Sequence, residues 1–559
     1  MLVMKRRALH LALFLLLAAC ARQTVPTGGP RDVRPPRLIE STPSNKQLNF
    51  TGSTIELMFD ELVQLNDPLR EIIITPRVGK TFEAISRKNK VILTVEDQWV
   101  ESTTYTINLR EAVQDVTERN PAANLKIAFS TGDYIDSLAL EGTVIELLKD
   151  KPAEEVTVGI VEPTDTFNIF AHEPYWFSKS NKDGEFTIEN LKAGEYFLYA
   201  FVDPNKNLIV DPHELHGFLG QPIRLDSSLS ALQLNLTKAD SRPLRVVSAR
   251  PEKSSATLTL SVNARGYSLA PIGSAVQSCY GESQSEIKVY PIISLNPFDS
   301  LLLIVRATDS LNRKLDTTLY IKTNPDYPLS DRFSVTNSGV KIFAQTKSLT
   351  TSFSFTKPLR ELNPDSLFLA IDSIPVMSFR PDDMVIDSAK NILRISRRMP
   401  DSIASNVINP TDSLGKPLPP NHKPNIGLLA RTGLFISLEA DTSAATIYSK
   451  STIIRPESSA IILANIKCQE NFFVQLLDRE FNVIDQRTNE SSVRFEHLTP
   501  GNYQIRVLID SNKNGCWDPA NYFTLTEAEP VIFYINDEDS AQITTKANWE
   551  IGPLLITCE

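Results

Sequence analysis

Runs of about six residues in which every second side chain is apolar recur along the whole chain, and they restrict the fold more than any other feature. Thr54-Ile55-Glu56-Leu57-Met58-Phe59, Lys90-Val91-Ile92-Leu93-Thr94-Val95 and Thr104-Tyr105-Thr106-Ile107-Asn108-Leu109 are examples. Successive side chains of an extended backbone point to opposite faces, so each run makes a strand with one buried face. Asn, Asp, Pro and Ser separate the runs at intervals of about 8–12 residues, the spacing of β-sandwiches. Long, capped stretches with a 3.6-residue period are nearly missing, so helices should be rare. A chain of 559 residues exceeds what one core can organise. The expected fold is all-β: a multi-domain string of β-sandwiches.

The first residues carry an address. Lys5, Arg6 and Arg7 precede an apolar run, Leu9–Leu17, broken only by His10. The run is too short to span a bilayer and has the flanks of a signal peptide. Leu17-Ala18-Ala19-Cys20 follows and resembles the lipobox of bacterial lipoproteins. That resemblance implies removal of residues 1–19 and lipidation of Cys20. An ordinary secretory signal with a chance Cys is the competing reading. Residues 20–33 form a Pro/Gly-containing tether with Pro26, Gly28, Gly29 and Pro30. No later segment offers a second membrane anchor. The expected location is the cell envelope, with the chain lipid-anchored to the outer membrane, on either the periplasmic face or the cell surface. Ala21-Arg22-Gln23 lacks an acidic cluster that would mark surface export.

Residues 34–133 carry Pro35-Pro36, Ser41-Thr42-Pro43, Ile55–Glu61, Thr103–Ile107 and Phe129-Ser130-Thr131-Gly132. This order resembles the bacterial Ig-like domain of S-layer-type surface proteins, which also begins the cell-envelope lipoproteins of Bacteroidetes-type bacteria. Residues 137–237 carry Lys182-Asp183-Gly184-Glu185-Phe186-Thr187-Ile188 and Leu191-Lys192-Ala193-Gly194-Glu195-Tyr196. They resemble the prealbumin-like regulatory domain of carboxypeptidases, which implies a seven-stranded sandwich used as a spacer or stalk. Leu191–Tyr196 recurs as Leu498-Thr499-Pro500-Gly501-Asn502-Tyr503, and Asp203-Pro204-Asn205-Lys206-Asn207 recurs as Asp510-Ser511-Asn512-Lys513-Asn514. Both alignments have the same offset, 307 residues. Residues 452–559 are therefore read as a second prealbumin-like domain. Residues 242–325 read as a β domain of unclear type. Residues 331–440 read as a second Ig-like domain, because Ser352–Leu359 echoes the strand at Leu57–Leu62. The stretch Pro400–Pro424 reads as a long exposed loop.

The repeated turn is the best candidate for chemistry. Asp203, Asn205, Asn207, Asp211 and Glu214 fall at positions 1, 3, 5, 9 and 12 of an EF-hand-like spacing. Alternate positions on a tight loop can point oxygens inward, as Ca²⁺ requires. Leu208 stands where the pattern asks for Gly. The second copy has Asp510, Asn512, Asn514, Gly515 and Asp518, but Asn521 replaces its last carboxylate. Both look similar to the Asp/Asn-rich calcium loops of dockerin and thrombospondin-type repeats, and Ca²⁺ is the cofactor that resemblance implies. A hairpin of Asx turns explains the same residues, and both readings stand at this point. Asp60-Glu61 reads as a polar strand exit. Asp115, Glu118 and Asn120 form a polar loop that could hold an ion, and His213 and His216 with Asp211 could ligate zinc, but without Cys or a third close His a solvated loop is the default reading.

No nucleophile elbow, phosphate loop, zincin motif or dinucleotide fingerprint is present. No motif marks an intramolecular Lys–Asn crosslink. Cys468, Cys516 and Cys558 fall in the last domain, leaving room for one disulfide; Cys468–Cys558 would tie its first strand to its last, but spacing does not set connectivity. The formal charge of −10 excludes broad nucleic-acid binding, which needs a basic face. The reading that follows is a non-enzymatic envelope lipoprotein. Its tandem sandwiches would form a stalk or interaction platform, with the membrane as partner through the anchor and a protein or glycan as a further partner. The alternative is a surface binding module for glycans or peptides, with Tyr175, Trp176 and Trp517 as candidate stacking platforms.

Overall fold

The computed structural model describes residues 32–558, except 80–81, 123–124, 274, 293–299, 325, 328–331, 412–415, 419–423 and 444. The signal segment and Cys20 lie outside the described residues. The chain is all-β and multi-domain, a succession of β-sandwiches. Among the described residues there are two compact units: one runs to Ala139 and includes Tyr175–Phe177 and Ile188–Ala193, and the other is the rest of the described residues. Among the described residues, no helix is long and apolar enough to cross a membrane.

In the first unit, Thr54–Phe59 and Lys90–Val95 pair antiparallel at the centre of a four-stranded sheet. A three-stranded sheet places Thr104–Asn108 between Ile73–Thr75 and Lys126–Ser130. The alternation in the sequence is the alternation in burial: Ile55, Leu57 and Phe59 are fully buried on one face. Tyr105 and Phe129 stack at 5.6 Å, and Phe50 and Trp99 meet Phe129 edge-on. The Tyr105 hydroxyl accepts from Val100 N at 2.9 Å, and burial pushes its pKa up to about 12.

Asp115 closes this core. It is buried, and its Oδ1 accepts from the backbone N–H of Thr117, Glu118 and Arg119, while Oδ2 accepts from Asn120 N. Burial works to raise its pKa, but these backbone bonds together outweigh burial and hold the carboxyl below the usual carboxylate range. In this polar loop the carboxylate is an anion held by backbone donors rather than an ion ligand. A depressed folded pKa means stability is present above the unfolded value of about 3.9 and is lost as pH falls through the folded value. We expect Asp115→Asn to cost about 1–3 kcal/mol at neutral pH, and to flatten the acid limb of a stability–pH profile measured by denaturant unfolding.

In the second unit, the second and fifth sandwiches share one topology. Leu138–Glu146 runs parallel to Leu229–Lys238, as Ala460–Lys467 runs parallel to Glu550–Thr557. The long strand Gly194–Phe201 pairs with Thr157–Val161, Leu215–Phe218 and Ile223–Leu225. Its counterpart Gly501–Asp510 pairs with Asn471–Leu477, Val531–Phe533 and Ile543–Thr545. The sequence repeat is therefore a repeat of strand connectivity. The two copies also touch. Ala520 joins an apolar cluster with Val161, Phe197, Tyr199 and Phe201, and Gly220 N donates to Glu527 Oε1 at 2.8 Å.

Residues 242–325, of unclear type in the sequence, form a sandwich with seven strands among the described residues. Val246–Pro251, Ala256–Leu260, Glu286–Pro291 and Val276–Tyr280 make one sheet; Ala264–Ile272, Leu301–Asp309 and Lys314–Ile321 make the other. Leu258, Ile287, Leu303 and Val305 fill the space between them. In the fourth sandwich, Ile447–Ile454 pairs parallel with Val340–Phe343 and antiparallel with Ile426–Ala430. The boundaries at 440 and 452 need correction: this strand closes the fourth sheet and crosses residue 452. The exposed loop expected over Pro400–Pro424 also needs correction. Its first part is a helix, Asp401–Ile408, whose Ala404, Val407 and Ile408 enter the core. Their three- and four-residue spacings put them on one helix face.

Candidate functional site

The repeated turns follow the two longest equivalent strands, and their side chains make the same bonds in each copy. Asp203 Oδ1 accepts from Asn207 N at 3.1 Å and Oδ2 from Leu208 N at 3.2 Å. Asp510 Oδ1 accepts from Asn514 N and Oδ2 from Gly515 N, both at 2.9 Å. Asn205 Nδ2 donates to Asp211 Oδ2 at 2.6 Å, as Asn512 Nδ2 does to Asp518 Oδ2. Asn207 Oδ1 accepts from Ile209 N, and Asn514 Oδ1 from Cys516 N. The sharp turn that Leu208 put in doubt forms: Leu208 has φ +58°, where Gly515 has φ +83°.

Glu214 receives Asp211 N on Oε2 at 2.8 Å. In the second copy the equivalent group is not residue 521. Asn521 caps a short 3₁₀ turn, Tyr522–Thr524, through Phe523 N. Glu529 returns from beyond that turn, and its Oε2 receives Asp518 N at 2.8 Å while Oε1 receives Asn512 N at 3.1 Å. The carboxylate absent from the spacing is present in space. Burial raises the pKa of both Glu214 and Glu529; backbone donors work in the other direction. Glu529→Ala is expected to cost about 1–3 kcal/mol by leaving two N–H groups without their acceptor, read as a lower denaturant midpoint with unchanged m-value.

Asp518 also has a cationic partner. Arg265 Nη2 reaches its Oδ1 at 3.0 Å, and Asn312 Nδ2 reaches Oδ2 at 2.9 Å. Among the described residues, no group of three or more His, Cys, Asp or Glu side chains is arranged to hold a metal ion. His216 is buried, its Nδ1 lies 2.9 Å from Glu214 O, and burial lowers its pKa. It is a packed residue, not the solvated one expected. His213 sits in the turn before Leu215–Phe218. Asp60 Oδ1 accepts from Arg37 N just after the strand Thr54–Phe59, as a strand exit should. Burial, then neighbouring Asp115 and Asp60, raises the Glu61 pKa. Trp176 is buried against Tyr175, and Trp517 Nε1 donates to Glu529 O at 2.9 Å, so both indoles have structural work.

A second polar cluster was not legible in the sequence. Lys357 is 1% exposed, and its Nζ lies 2.6 Å from Asp441 Oδ2 and 2.5 Å from Glu439 Oε2. Glu439 also accepts from Ser254 Oγ of the third sandwich. Burial works to lower the Lys357 pKa, but the two carboxylates outweigh it and hold the ammonium above its ordinary value.

Comparison with known proteins bears on the first sandwich most directly. Residues 32–131 match the family profile described as "Bacterial Ig-like domain". The first sandwich is thus similar to a bacterial Ig-like domain. No curated protein sequence matches the chain. Among solved structures, the chain aligns with the Bacillus anthracis TIE protein at 8% identity, covering 95% of this chain and 76% of that one, with a TM-score of 0.13. It aligns with domains 1–6 of surface layer protein SbsC at 10% identity, covering 92% and 67%, with a TM-score of 0.15. It aligns with BcpA, the major pilin subunit of Bacillus cereus, at 8% identity, covering 76% and 98%, with a TM-score of 0.12.

Proposed function

We propose that the protein is a non-enzymatic envelope lipoprotein, held to a membrane by acylated Cys20, whose β-sandwiches serve as a structural and interaction platform. One observation carries the reading. The carboxylates a catalyst would use are engaged in the fold itself: Asp115, Asp203, Asp510 and Glu529 accept backbone N–H groups, and Glu439 and Asp441 are paired to Lys357. The similarity of residues 32–131 to a bacterial Ig-like domain supports a place in the envelope. The contact between the second and fifth sandwiches favours a platform over a chain of independent spacers. Fractionation tests the anchor: the wild-type chain should sediment with membranes, and Cys20→Ala should be retained in the membrane as uncleaved precursor or released, but never acylated. Membrane retention of a processed, unacylated chain would overturn the reading.

Ca²⁺ belongs to this proposal only as a test. In both Asp/Asn loops the side-chain oxygens already serve N–H donors, and Arg265 supplies positive charge at Asp518. Chelation with EDTA is therefore expected to leave the melting temperature unchanged. A drop of several degrees, reversed by Ca²⁺, would return Asp203, Asn205, Asn207, Asp211 and Glu214, with their counterparts Asp510, Asn512, Asn514 and Asp518, to metal binding.

A further inference from the structure

The outward face of the fourth sandwich carries its charge unlike the other sheets. Lys90, Arg306 and Arg494, strand cations of the first, third and fifth sandwiches, each pair with an acid of the same sheet: Glu56 at 3.1 Å, Asp316 at 2.8 Å and Glu550 at 3.2 Å. In the fourth, Ile447–Ile454, Val340–Phe343, Ser348–Phe355 and Ile392–Arg398 lie side by side. Val340, Ile342, Leu349, Phe353, Leu393 and Ile395 enter the core, so the alternate residues point outward. That outward set holds Lys341, Arg394, Arg398 and Lys450, all exposed, and no Asp or Glu. Hydroxyls stand between them: Ser396 is opposite Thr350, Thr350 opposite Lys341, and Lys341 opposite Thr452. Among the described residues none of the four cations has an ion-pair partner. Asp401, three residues after Arg398, is taken by Lys347 Nζ at 2.7 Å. The chain as a whole has a formal charge of −10, so this face gathers charge against the sign of the molecule. A surface that served only solubility would mix the two signs.

The spacing selects the partner. At about 3.3 Å per residue and about 4.8 Å per strand, Arg394 and Arg398 are about 13 Å apart, and Lys341 is about 10 Å from their strand. Charges so far apart do not converge on one phosphate or carboxylate. They suit an extended chain that carries anions at intervals, and the Ser and Thr hydroxyls suit a chain with hydroxyls of its own between those anions. A protein partner or a lipid surface would call for apolar anchors. Phe343, the aromatic in this row, is already packed against His497 at 4.4 Å, which leaves Val385 at the sheet edge. We propose that this face binds an acidic polysaccharide, with the four cations on its carboxylate or sulfate groups and the strand hydroxyls on its ring hydroxyls. The inference goes beyond the platform reading and is independent of the lipid anchor.

Titration calorimetry of the full-length chain in a non-ionic detergent tests it, with polygalacturonate and dextran sulfate as probes and uncharged dextran as control. Both polyanions should bind, more weakly as salt is raised, and dextran should not. Arg394→Ser/Arg398→Ser removes two exposed cations without touching the core, and should lower the affinity about tenfold or more. Arg306→Ser/Lys314→Ser makes the same charge change on the third sandwich and should leave the affinity within about twofold. Unchanged melting temperatures check that both variants fold. Absence of binding to either polyanion at low salt, or equal losses in the two variants, would overturn the proposal. Binding to phosphatidylglycerol vesicles or to a single-stranded oligonucleotide as tight as to the polyanions, and lost in Arg394→Ser/Arg398→Ser, would overturn the assignment to a polysaccharide.

Discussion

Reducing the Cys468–Cys558 disulfide is expected to destabilise the fifth sandwich by about 2–5 kcal/mol, a fall of roughly 10 °C or more in its melting temperature. The bond sits just past the ends of Ala460–Lys467 and Glu550–Thr557, the parallel pair that joins the start of the domain to its finish. Cys558 N also donates to Lys467 O at 2.9 Å, so the backbone already brings the two ends together. The bond closes a span of 90 residues, nearly the whole domain. In the chain-entropy account, its main effect is to restrict the unfolded ensemble, and the effect grows with the logarithm of loop length. Thermal unfolding with and without dithiothreitol checks this. The Cys468→Ala/Cys558→Ala variant should melt like the reduced wild type and ignore the reductant. A wild-type transition unmoved by reduction would contradict the assignment of this bond to stability. Cys279, buried in the third sandwich, and Cys516 are free thiols. Burial pushes the Cys279 thiol up to about 11, which keeps it unreactive.

The second large effect is expected at Lys357. Replacing it by Met leaves Glu439 and Asp441 facing each other with no cation, and breaking a buried pair from one side costs about 3–5 kcal/mol. A triple variant, Lys357→Met with Glu439→Gln and Asp441→Asn, should recover a large part of that loss, because no uncompensated charge remains. Denaturant unfolding of the two variants measures the difference. The pH dependence has a definite sign. The amine is held above its ordinary value, so its contribution is complete below the unfolded pKa of about 10.4 and is lost as pH rises through the folded value. Equal stability of Lys357→Met and wild type would show that the cluster contributes nothing.

The fold was legible wherever the signal was local. Alternation marked Thr54–Phe59 and Lys90–Val95 because one sheet face is buried and the other is not. The 307-residue offset marked the second copy because its turn residues make local bonds, Asp510 to Asn514 and Gly515, that depend on spacing alone. What failed to show was set by distant or marginal contacts. Glu529 acts for the missing carboxylate, but a 3₁₀ turn intervenes, so no fixed spacing announces it. Lys357 and its partners Glu439 and Asp441 come together only when the fourth sandwich closes. The helix Asp401–Ile408 has two turns and no side-chain cap, and Pro, Asn and Ser around it read as loop. The disulfide was open between three cysteines until the parallel pairing of first and last strands selected two.

Metabolic labelling with an alkyne fatty acid, followed by mass analysis of the N-terminal peptide, tests the envelope assignment at its root. The account predicts that the mature chain begins at Cys20 and that this residue carries the label. A mature chain that is cleaved elsewhere, or that begins at Cys20 with a free thiol and a free amine, would contradict it.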